Sequence, residues 1–224
     1  MAIEDWASRD AKLQIPCVRG FGQQRLAADE PSRRSASPLK PDTLGGRDRC
    51  RRAMHHPLEL LTDRGWIVEF TATGGSLPLP LVRRYPNLPP PFARLLGAIE
   101  NCHNQRDDAW IFGASFFARD APTGFRWNEC ELMSLEAVEG DLAAASKVRE
   151  YWDRHLPFMM AVHSGYDYLA VQTSCVSPLG AVVHGRSPEF EDSTIVAPSF
   201  DEFLTRLGDA ALLANPPYPF SIFL

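Results

Sequence analysis

The chain predicts an α+β domain built on a mostly antiparallel sheet flanked by helices. Helical patterns come early, around residues 77–101 and 134–154, and short strand-like runs crowd the later half. They do not alternate as β-α-β units would in a nucleotide-binding fold. The runs Pro157–Val162, Tyr166–Gln172 and Ala181–His184 are largely apolar and separated by His163-Ser164-Gly165 and by a Ser/Pro/Gly turn. A helix with a clear start signal at Ser199 closes the order.

The elements follow from residue type and spacing. Trp66–Thr71 (WIVEFT) is β-branched and aromatic and suits a short strand, which Gly74-Gly75-Ser76 breaks. Leu77, Leu81, Val82 and Tyr85 share a helical spacing. Phe92, Leu95, Leu96 and Ile99 repeat it, so a helix is expected over Pro90–Asn101 with proline in its first turn. A polar loop is expected over Asn101–Asp108 and a buried strand over Ala109–Phe117 (AWIFGASFF). Phe125, Trp127 and Glu129 alternate with polar neighbours in the manner of a further strand. Ser134, Ala137, Val138 and Leu142 begin a helical region that bends into Ala143–Arg154. Thr194–Ala197 adds a strand. Ser199 is a helix N-cap, and Glu202 three residues on completes a capping box. Phe200, Phe203, Leu204, Leu207 and Ala211 form the buried stripe of that helix. The ending PPYPFSIFL is broken by proline and is expected to lie on the surface as extended chain.

Composition divides the chain in three: a basic extension (1–55), the α+β domain (56–213) and a Pro/aromatic tail (214–224). Residues 1–55 carry 11 Lys/Arg against 7 Asp/Glu, and residues 56–224 carry 12 against 21, so the two parts bear about +4 and −9. The extension is polar, rich in Arg, Ser, Pro and Gly, and without apolar periodicity, so it cannot offset the entropy of ordering and is expected to be disordered. Its Arg47–Arg52 run reads first as a solvated tail, and otherwise as a contact for an acidic partner or nucleic acid. Translation from Met54 is an alternative account of the same stretch. The acidic domain suits a basic protein partner steered by charge, and not nucleic acid directly; the competing reading is an acidic surface that serves solubility alone. The N-terminus lacks an apolar segment of signal-peptide type, and no apolar run approaches the roughly 18 residues that span a membrane. Five scattered cysteines (Cys17, Cys50, Cys102, Cys130, Cys175), with no C-x-x-C pair, fit free thiols in a reducing cytoplasm.

Several of these pieces together resemble the SMI1/KNR4 (SUKH) superfamily. They are Leu77–Leu96 in its LP…RRYPNLPPPFARLL form, Trp110 in a strand, and Trp152–Pro157 ahead of a strand. To these add the turn Ser164-Gly165-Tyr166-Asp167 before Tyr168-Leu169-Ala170, the strand end Val183-His184-Gly185, and the closing SF-x-EFL helix of Ser199–Leu207. The resemblance covers about residues 57–210. His163 and Tyr166 in the turn depart from its usual Gly/Asp-rich form, and the basic extension lies outside it. The resemblance implies a bent sheet with a cleft. It also implies a non-enzymatic role: bacterial members are commonly immunity proteins that bind and neutralise a toxin, and fungal members are regulatory scaffolds.

No residue set carries a catalytic, cofactor or metal motif. His163, Asp167 and His184 would form a metal site or an acid–base pair if their strands paired, yet no motif spacing supports this and structural roles are favoured. A small metal-dependent or hydrolytic enzyme is therefore the remote alternative. Asp167 suits a turn anchor, accepting bonds from nearby N–H groups. Cys102-His103 lacks a third group and reads as helix-end chemistry. Ser164-Gly165 is not within G-x-S-x-G, and Gly20-Phe21-Gly22 lacks the context of a dinucleotide site. Trp110 and Trp152 are expected in the core. The candidate contact surface is Tyr166 and Asp167 with the acidic loop Glu189, Phe190, Glu191 and Asp192, where Phe190 would anchor and the carboxylates would face a basic toxin. The competing reading of that loop is a solvated connection.

Overall fold

The computed structural model describes residues 57–72, 74–118, 126–174 and 179–224. The expectations for residues 1–55, for a start at Met54 and for Phe125 lie outside the described residues. The described chain is an α+β domain on a seven-stranded sheet in which sequence neighbours pair throughout, every pair antiparallel.

A helical stretch α1 (57–63) leads into β1 (Ile67–Phe70). Two helices follow, α2 (Leu79–Arg84) and α3 (Pro90–Ala98), both with proline at their first positions. Strand β2 (Ile99–His103) comes directly off α3, and a tight turn leads to β3 (Ala109–Ile111). The connection from β3 to β4 carries α4 (Ala114–Ala118), α5 (Glu129–Ala137) and α6 (Leu142–Trp152). Then β4 (His155–Ala161), β5 (Tyr166–Gln172), β6 (Val182–Ser187) and β7 (Thr194–Ala197) run as a meander. Helices α7 (Phe200–Ala211) and α8 (Phe220–Phe223) complete the domain.

Four expectations are corrected. The helix expected over Pro90–Asn101 stops at Ala98, because the chain enters β2, which takes the place of the helix's last residues and of the start of the expected polar loop. The AWIFGASFF run is not one strand. Gly113 passes so close to β2 that an added Cβ would lie 2.1 Å from the Ile99 carbonyl oxygen, and the chain turns there into α4. Trp127 lies in a turn and Glu129 begins α5, so no strand forms from those residues. The tail is neither extended nor peripheral: it forms α8, and Phe220 and Phe223 join the same core as the sheet.

Burial in the centre of the sheet explains the apolar runs. Every residue of Leu156–Ala161 and of Asp167–Val171 is buried, so both faces of β4 and β5 are covered. On one face Trp152 of α6 packs on Tyr168, with ring centroids 5.0 Å apart. On the other, Tyr218 and Phe223 set their rings edge-on to His184, which is in register with Leu169. Phe92 of α3, Phe158 of β4 and Phe200 and Phe203 of α7 interlock at centroid separations of 5.0–5.7 Å. Burying each contributes about 1.5–3 kcal/mol. The α7 cap forms as expected in part: Ser199 Oγ accepts from the Glu202 N–H at 3.2 Å. Glu202 turns its carboxylate to Arg206, at 3.0 Å, and not back to the cap. Among the described residues no helix is long and apolar enough to cross a membrane.

Candidate functional site

Asp167 is the most connected of the residues singled out in the sequence. Strands β5 and β6 pair with Asp167 opposite Arg186 and Leu169 opposite His184, which brings His184 onto the face of Asp167. The carboxylate is buried, 1 % exposed, and its Oδ1 lies 3.0 Å from His184 Nε2. Its Oδ2 accepts from Arg186 Nη2 at 3.1 Å and from Ser164 Oγ at 3.4 Å. A carboxylate only accepts, so Nε2 carries the His184 proton. The other ring nitrogen, Nδ1, then accepts from the Tyr218 hydroxyl at 3.3 Å. Burial lowers the His184 pKa from its ordinary value, with Asp167 opposing and Arg186 reinforcing that shift. Arg186 already balances the carboxylate, so protonating the ring would add a charge to the interior.

This cluster ties strands and tail together, and its polar atoms are committed to one another. His163, by contrast, is exposed, and among the described residues no group of three or more His, Cys, Asp or Glu side chains could hold a metal ion. The meeting of all three residues, His163, Asp167 and His184, is therefore corrected to the pair Asp167–His184. Cys102 and His103 are also no dyad. They are consecutive on β2, not at a helix end, and consecutive strand residues face opposite sides. Burial pushes the Cys102 thiol, and likewise Cys130, up to about 12.

The acidic loop keeps its charges outside but not its aromatic. Glu189, Glu191 and Asp192 are exposed. Phe190 is only 7 % exposed and turns inward onto Tyr151 of α6, centroids 5.3 Å apart. Phe190 thus belongs to the core and is no projecting anchor. Asp167, equally buried, offers no side chain to a partner, whereas Tyr166 is 43 % exposed.

Tyr166 instead lines a cleft, of a kind that the resemblance implies but whose place and lining no sequence motif marks. Register pairs Glu69 with Asn101, His103 with Trp110 and Trp110 with Met160, which puts these side chains on one sheet face with Tyr168 and Tyr166. Tyr168, further along that face, lies under Trp152. Towards β1 the face opens into a cavity of about 800 Å³. Phe112 and Phe116, stacked 4.1 Å apart, belong to its aromatic wall. Close passage of Gly113 over β2 sets that wall, and Ser115 Oγ holds it by donating to the Glu100 carbonyl at 3.0 Å.

The charges around the cleft are of one sign. Glu69, Glu100 and Asp107 line it, no Lys or Arg does, and Glu69 and Glu100 make no ion pair among the described residues. Asp107 is placed by the β2–β3 turn. Asn104 accepts there from the Asp108 and Ala109 N–H groups, and Asp107 adopts a left-handed φ of 55°. From that position its carboxylate accepts from Trp110 Nε1 at 2.6 Å and lies 3.5 Å from His103 Nδ1. Trp110, expected in the core, is only partly buried and fixed by this bond at the mouth of the cleft. The signal in the sequence was a tryptophan two residues after an Asp-Asp turn; it went unread because β2 looked like loop.

No family model matches the chain, and no curated protein matches it. The SUKH resemblance accordingly rests on the residues that suggested it.

Proposed function

We propose that this chain is a partner-binding protein which captures a basic protein, in the manner of an immunity protein occluding a toxin. The observation that carries this reading is the cleft, whose aromatic walls stand beside Glu69 and Glu100, carboxylates that make no ion pair among the described residues. Its sign agrees with the 21 acidic against 12 basic residues of 56–224. An aromatic centre with a charged rim is the usual build of a protein interface. Binding is preferred to catalysis because the buried Asp167–His184 cluster spends its hydrogen bonds on the fold and the buried thiols stay protonated.

Co-expression with the products of the genes adjacent to its own tests the proposal. The expected result is co-purification of one basic product, protection of cells from it, and loss of the complex by about tenfold or more in affinity in a Glu69→Lys/Glu100→Lys double variant. Failure of every adjacent product to bind, or a complex indifferent to the double variant, would overturn it.

A further inference from the structure

We infer that the cleft is a receptor for the guanidinium of an arginine side chain presented on the partner's surface. This assignment rests on the partner-binding reading and adds the chemical group that is recognised.

Three features select that group. The first is the pairing of aromatic and acidic groups at one mouth. Trp110, Phe116 and Tyr166 offer ring surface, while Glu69, Glu100 and Asp107 offer carboxylates. A cation with a flat, weakly hydrated head satisfies both at once, because it stacks on a ring and forks its N–H groups to oxygen. A lysine ammonium, compact and strongly hydrated, meets the carboxylates but gains less from the rings. The second is size. About 800 Å³ exceeds what one small ion fills and suits a side chain together with the stretch of polypeptide that carries it.

The third is an example inside this molecule. Arg84 sits 5.5 Å from the ring centre of Tyr85 and 5.7 Å from that of Trp127. Its guanidinium forks onto both oxygens of Glu131, at 2.7 and 2.9 Å, and its Nε donates to Asp153 at 3.0 Å. This fold thus already closes one aromatic–carboxylate pocket with an arginine. The cleft assembles the same kinds of group, lined by no Arg or Lys of its own.

The test uses the full chain and two fluorescent peptides of equal length, alike except that one carries three arginines and the other three lysines in a Gly/Ser background. Fluorescence anisotropy reads affinity, and the indole N–H resonance of Trp110, assigned through Trp110→Phe, reads location. The arginine peptide is expected to bind about fivefold or more tighter than the lysine peptide. It should shift the Trp110 resonance and lose about tenfold in a Glu69→Gln/Glu100→Gln variant. Glu189→Gln/Glu191→Gln should leave binding unchanged. Equal affinity for the two peptides, an unmoved Trp110 resonance, or dependence on Glu189 and Glu191 would overturn the inference. So would methylguanidinium binding as tightly as the peptide, which would mark a small-ion site. Glu69 and Glu100 are exposed, so these variants keep the fold, and circular dichroism checks that they do. Because the peptides replace the natural partner, failure here leaves the co-expression result standing, and the reverse holds as well.

Discussion

At the scale of single residues, the buried imidazoles govern how the protein responds to acid. Burial lowers the pKa of both His184 and His155 in the folded state. In the unfolded chain both titrate near the ordinary value of about 6.5. Below that value the unfolded state binds more protons than the folded one, so stability falls as the pH drops towards and through the folded values, and the two imidazoles add no pH dependence above about pH 7.5. Urea midpoints measured between pH 8 and 5 should show this decline. His184→Gln should flatten it to the part left by His155. Asp167, which the sequence offers as a turn anchor and, on condition of strand pairing, as a neighbour of His184, proves to be the acceptor that holds the His184 tautomer, a contact that the β5–β6 register sets.

At the scale of elements, local chemistry and tertiary crowding make separable predictions. Ser199→Ala removes the acceptor at the start of α7 and should cost about 1 kcal/mol in chemical denaturation. Glu202→Gln should cost under about 0.5 kcal/mol, since its carboxylate serves only a half-exposed pair with Arg206. Gly113→Ala forces a methyl group onto the Ile99 carbonyl and should cost about 2–3 kcal/mol while distorting the cleft wall, which loss of peptide binding would report. Elements buried on both faces, β4 to β6, were legible because an unbroken apolar run has few alternatives. So was α7, whose stripe and N-cap agree. The β2 sequence Ile99–His103 was not legible: its exposed Glu100 and Asn101 break any pattern of period two. Nor was the end of β3, where a backbone approach and not a side-chain pattern stops the strand. The cleft depends on those two elements, which is why its position was hidden even though its sign was not.

At the scale of the whole molecule, the excess of acid over base in 56–224 agrees with the cationic partner we propose, and the cleft is where we propose that it binds. The buried and half-buried carboxylates Glu131, Asp167 and Asp108 are balanced internally, by Arg84, Arg186 and Arg106. The exposed Glu69 and Glu100 of the cleft have no such ion pair among the described residues and add to the attraction that the proposed partner would meet there. Screening shortens that reach to about 8–10 Å at physiological salt. Raising sodium chloride from 50 to 300 mM should accordingly slow association with the partner by about tenfold or more while changing dissociation far less, a split that stopped-flow or surface-based kinetics would measure.

The docking of α8 has a consequence for biogenesis. Phe220 and Phe223 close the core, and the Tyr218 hydroxyl reaches His184 from 34 residues away. A nascent chain that has passed α7 but not yet released residues 218–223 from the ribosome therefore lacks the Phe220 and Phe223 rings of its core and the hydroxyl that meets His184. The core is completed only once α8 has followed α7 out of the ribosome, and until then chaperones that shield translating chains meet a core short of two aromatic side chains.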